Sequence, residues 1–171
     1  RSTSSMRNSQ SPMCSMKGLA MNQLRSWENK KANDKRDEAM FMAGHTVVKF
    51  LNGASIERVE IFEIHPSNIL DRERTWAGTC WDTGLDPTTR QATDAAGKLA
   101  ESVELEAVVR ENYSSEVVDK TLAMLKDNWT AVIAIAQQLE ESGEISGEQV
   151  STIISPQPDS KWGSGYLFGE T

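Results

Sequence analysis

At 171 residues, with 38% hydrophobic and 25% charged residues, the chain has the size and composition of one globular domain with a real core, and is too short for two. Its net charge of -7, with basic residues that form no patch in sequence, argues against a nucleic-acid surface. Two cysteines, Cys14 and Cys80, without a CxxC, indicate neither a disulfide framework nor a thiolate zinc site, so a cytoplasmic or other reducing soluble compartment is the default.

Residues 1–15 are Ser-rich and unpatterned and are expected to be disordered, the leading Arg suggesting a trimmed end. Met16, Leu19, Ala20, Leu24 and Trp27 recur at near-helical spacing and predict a short packing helix, followed by a charged stretch from Glu28 to Asp37. The next helix, Asp37 to Asn52, is the anchor of the chain. Asn33 or Asp34 is its expected cap and Gly53 its stop, while Met40, Gly44, Val47, Val48 and Leu51 form one apolar stripe. A second face carries Glu38, Phe41, Met42 and His45, with Phe41 and His45 one turn apart.

After Gly53, SIERVEIFEI alternates as a strand does, with Val59 and Ile61 on one face and Glu60, Phe62 and Ile64 on the other, and His65-Pro66 stops it. Trp76 to Gly84 reads as a second short strand bounded by turns, a sheet edge or a groove wall. Asp86-Pro87 starts a helix in which Ala92, Ala95, Ala96, Leu99, Ala100 and Val103 make a narrow stripe of small residues that admits another helix closely. Ser114 or Ser115 caps the next pattern, running to Leu139 with a break near Asp127-Asn128. Gly143 ends it, and Ser146 to Gln149 is a capping box into a last helix through Ile154. The domain therefore spans 16–155, and 156–171 is a turn-rich aromatic tail. No apolar run approaches the roughly 20 residues that cross a bilayer, and no GxxxxGK[ST] phosphate loop is present.

The segment MAGHTVVKFLNGASIERVEI resembles the HEAGHxVVxxLLG…xxVxI segment of the FtsH-type zinc peptidases. AAGKLAESV is similar to that family's AGxAAExL helix, and LKDNWTAVIAIAQQLEESGEISGEQVSTII is similar to its closing NxxxVxxLAxxLLExxxLxGEEVxxII, in the same order. The resemblance implies a mostly helical α+β fold, a zincin-like peptidase domain with a small sheet beside a helical bundle.

In HExxH, two histidines hold zinc and the glutamate is the general base. The five positions here are Phe41-Met42-Ala43-Gly44-His45, so only the second histidine is present. The family's third ligand lies in S-x-D-x-x-x-A-T, and the matching Ser114 to Thr121 places Glu116 there. Phe41 has no lone pair, and Met42 cannot accept a proton. Loss of the base alone removes about 10²- to 10⁴-fold in rate, and loss of the metal removes the nucleophile. The degenerate metal positions are thus Phe41, His45 and Glu116, with Glu38 a candidate substitute one turn before Phe41. The bland reading has Glu38 complementing a helix start and His45 as a core-edge histidine beside a carboxylate such as Glu116. No other nucleophile signature is found.

The sequence therefore points to a pseudo-peptidase with no resident cofactor, acting as a binding or structural subunit, with a peptide or the surface of a homologous protease as the partner class. The alternative is a zinc metalloendopeptidase with an improvised site at Glu38, His45 and Glu116. A small adaptor with a coincidental match is the third reading, weakened by three matching segments in order.

Overall fold

The computed structural model describes residues 12–65, 74–84 and 87–155. The elements in chain order are α1 (Pro12–Leu51), β1 (Ser55–Glu63), β2 (Trp76–Thr83), α2 (Pro87–Glu101), a 3-10 turn (Val103–Leu105), α3 (Glu106–Asn112), α4 (Ser115–Asp127), α5 (Trp129–Ser142), β3 (Glu144–Ser146) and α6 (Gly147–Ile154). The fold is α+β and mostly helical, with one three-stranded antiparallel sheet in the order β2-β1-β3. Among the described residues no helix is long and apolar enough to cross a membrane.

The largest departure from the sequence reading is α1. The short helix from Met16, the charged stretch and the helix from Asp37 are one continuous 40-residue helix, which starts inside the segment expected to be disordered. Neither expected cap acts as one. Asp34 accepts hydrogen bonds from the Thr75 backbone N–H at 2.8 Å and the Thr75 hydroxyl at 2.9 Å, so its carboxylate ties α1 to the residue that leads into β2 instead of stopping a helix. Asn33 accepts from the Arg36 guanidinium. Of the residues expected to pack from the first part, Leu24 and Trp27 are exposed, while the side chains of Met16, Leu19 and Ala20 lie outside the described residues.

From Asp34 onward α1 is the axis of the domain. Ala39, Met42, Ala43, Val47 and Val48 are buried, but Leu51 at the end of the expected stripe is exposed. Both the expected stripe and parts of the second face are covered, because the sheet lies on one side of α1 and α2 and α5 on others. The helix ends as expected, with Gly53 at a φ of 93°.

The small-residue stripe of α2 packs on α1. A Cβ on Gly44 would come within 2.4 Å of the Ala100 Cβ and 2.8 Å of the Ala96 carbonyl oxygen, so the two backbones meet at a distance only glycine allows. Val59 and Ile61 face the core from β1, with Phe62 on the open side. Val59 pairs with Cys80 on one neighbour and Ile145 on the other.

The C-terminal half follows its local signals. Ser114 accepts from the Val117 N–H and caps α4, Asn128 separates α4 from α5, Gly143 in the left-handed region ends α5, and Ser146 with Gln149 completes the capping box of α6. The expectations for residues 1–11, Pro66, Asp86 and the tail from 156 onward lie outside the described residues.

Candidate functional site

The second face of α1 carries Glu38, Phe41, Met42 and His45, and each meets a partner that the fold brings from elsewhere. Phe41 and His45, one turn apart, stack with ring centroids 5.9 Å apart and an interplanar angle of 21°. The Phe41 ring lies on Gly97 of α2, where a Cβ would stand 2.7 Å from its edge. Met42 is buried against Gly78 of β2, where a Cβ would meet its Cγ at 2.5 Å and its Sδ at 2.9 Å. The same Gly78 Cβ would lie 3.1 Å from a Glu38 carboxylate oxygen, so Met42 and Glu38 share one seat.

Glu38 is buried, with the Arg74 guanidinium 3.4 Å away. Arg74 also binds Glu101 at the end of α2, so one cation serves two carboxylates. Burial pushes the Glu38 carboxyl up to about 7; Arg74 opposes this, while Glu101, Asp34 and Asp37 add to it. Glu38, Phe41, Arg74, Lys98, Leu105 and Val108 line most of a shallow groove of about 340 Å³ between α1, α2 and α3.

His45 behaves in the opposite sense to a histidine beside a carboxylate. Burial drives its pKa down to about 4, and Lys49 one turn on lowers it further; Asp94, a backbone hydrogen bond with Thr93, and Asp82 oppose this. Its Nδ1 is buried with no hydrogen-bond partner among the described residues. The imidazole is therefore neutral at physiological pH. Lys49 itself is held in a largely buried ion pair with Asp82 of β2 at 2.5 Å. Cys80 is a protonated thiol, its pKa pushed up to about 11 chiefly by burial.

Glu116 sits exposed in the first turn of α4. It is not among the charges that bear most on His45; the carboxylate from a neighbouring helix that does is Asp94 of α2. The His45 pKa falls because desolvation outweighs the carboxylates near it. Glu116→Gln is expected to leave the imidazole titration near 4, whereas Asp94→Asn moves it lower still, both read by NMR of the ring protons. A downward move with Glu116→Gln would show that the two residues are neighbours after all.

The donor set does not fit zinc. Phe41 offers no lone pair, Met42 is a thioether set in a glycine seat, and Glu116 is on the outer surface of α4. Among the described residues no three His, Cys, Asp or Glu side chains group so as to hold a metal ion.

Sequence reasoning missed Arg74, Glu101, Asp94 and the two seating glycines. Arg74 and Glu101 carry no local signal. Gly78 inside a strand pattern and Gly97 inside a helical one do, since an isolated glycine in either setting marks a close approach by another group.

No family model matches this chain, and neither the curated proteins nor the solved structures contain a match.

Proposed function

We propose that the chain is a catalytically silent, FtsH-type peptidase-like protein, with a zincin-like scaffold that serves as a binding or structural subunit for a peptide or a protein partner. The observation that carries the reading is the seating of Phe41 on Gly97 and Met42 on Gly78. These side chains stand where the family's first histidine and general base would be, and each is fitted to a glycine on a different element. A glutamate at position 42 would share the Gly78 seat with Glu38, placing two carboxylates in one buried space. The arrangement supports packing at these positions, and burial keeps the His45 ring neutral.

The test is metal content. Purified protein after dialysis is expected to carry no stoichiometric zinc, and about one zinc per chain by elemental analysis would overturn the reading. The double variant Phe41→His with Met42→Glu is expected to take up zinc if the scaffold is of this family. A folded double variant that takes up none, as judged by circular dichroism alongside, would remove the support for the family.

A further inference from the structure

Lys98 and Glu101 stand at i and i+3 in the last turn of α2, a spacing at which opposite charges on a helix can pair. The fold directs them to different tasks. Glu101, largely buried, is taken by the Arg74 guanidinium, which enters just ahead of β2 and also reaches Glu38 of α1. The half-buried Lys98 lines the groove of about 340 Å³ between α1, α2 and α3, and Arg74 lies on the same wall.

The apolar part of the lining comes from three elements. Phe41 of α1 is seated on Gly97, the residue before Lys98; Leu105 belongs to the 3-10 turn; and Val108 of α3 is 46% exposed. Phe41 and Leu105 are half-buried, so all three offer apolar surface to a guest side chain.

The chain as a whole carries a net charge of -7, but the groove does not share that sign. Arg74 and Lys98 bring two positive charges, and Glu101 offsets one of them. Glu38, whose carboxyl burial pushes up to about 7, offsets the other only in part near neutral pH. The surplus is a fraction of one positive charge, which suits a monoanion. A phosphate would bring a second negative charge to face both carboxylates.

We infer that the groove binds the free carboxyl terminus of a partner polypeptide ending in an apolar residue, with the carboxylate between Lys98 and Arg74 and the last side chain on Phe41, Leu105 and Val108. Arg74 already bridges two carboxylates, so it is held in place before the guest arrives and little freedom is lost in ordering it. The groove is shallow, so a small free acid would leave much of its surface in water, whereas a polypeptide continues out of the groove and adds contacts beyond it. This names a partner for the binding role proposed above and rests on that reading, but the two fail separately: zinc content decides the first, and peptide titration decides the second.

The titration uses the full chain and fluorescence anisotropy of a labelled peptide of uncharged sequence ending in a free leucine. This peptide is expected to bind, and the same peptide amidated at its C-terminus, or ending in glycine, to bind about tenfold or more weakly. Lys98→Gln is expected to weaken the free-acid peptide and leave the amide unchanged, a split that a merely structural role for Lys98 would not produce. Val108→Asp, made at an exposed position, is expected to weaken the leucine peptide with an unchanged circular dichroism spectrum. Absence of binding, equal binding of acid and amide, or a ratio that Lys98→Gln leaves unchanged would overturn the inference. So would sodium hexanoate binding as tightly as the peptide, which would make a free acid the occupant.

Discussion

Glu38→Gln is expected to make stability climb as pH rises through the weakly acidic range, where in the wild type two buried groups oppose each other. In the folded chain Glu38 titrates at about 7 in place of 4.5, so the native state holds its proton more tightly than the unfolded state does. Its stabilising contribution is complete below pH 4.5 and is lost as pH rises through 7. His45 titrates at about 4 in place of 6.5, so the native state refuses a proton that the unfolded chain accepts. Its contribution is complete above pH 6.5 and is lost as pH falls through 4.

At about 1.4 kcal/mol per pH unit, each displacement amounts to roughly 3 kcal/mol. Between pH 4.5 and 6.5 the two slopes are of opposite sign and nearly cancel. Removing the Glu38 titration leaves the His45 slope, a gain of about 3 kcal/mol with rising pH relative to wild type. His45→Asn is expected to show the mirror image, with stability falling as pH rises. Other titrating groups are common to all three proteins and drop out of the differences. Urea unfolding midpoints across this range measure the effect, and three parallel profiles would mean that neither group titrates as its surroundings require.

Gly44→Val is expected to lower stability by about 3 kcal/mol or more, at the upper end of overpacking costs. Even the first added carbon would lie 2.4 Å from the Ala100 Cβ and 2.8 Å from the Ala96 carbonyl oxygen. The second of these is backbone, so no side-chain rotation relieves it, and α1 and α2 must separate. Phe41 then loses its fit on Gly97, one turn away on the same pair of helices. Valine also fits a helix no better than most residues, so the usual gain from replacing a helical glycine is small. Gly53→Ala is the comparison, since its φ is 93° but nothing lies within 4 Å of the added carbon. Its cost is expected to be about 1 kcal/mol, from the left-handed backbone alone. Thermal unfolding of the two variants separates crowding from strain, and equal melting temperatures would contradict the close crossing at Gly44.

The sequence by itself determined the elements whose boundaries are set by local hydrogen bonding or by period. The cap at Ser114, the break at Asn128, the left-handed stop at Gly143 and the Ser146-Gln149 box are all settled within a few residues of chain. The alternation of Val59 and Ile61 and the small-residue stripe at Ala96 and Ala100 likewise announce which face will be buried. Tertiary structure alone decided what Asp34 does. Its carboxylate has the chemistry of a cap, but Thr75, 41 residues away, offers it two donors, and the helix runs on through it. The candidate site divides in the same way. His45, Phe41 and Met42 are legible from a five-residue pattern, whereas Arg74 and Glu101 around Glu38, and Asp94 and Lys49 around His45, depend on which elements pack together. The sign of the His45 shift was beyond the sequence because burial and charge pull it in opposite directions, and only the folded chain fixes how much water the imidazole loses.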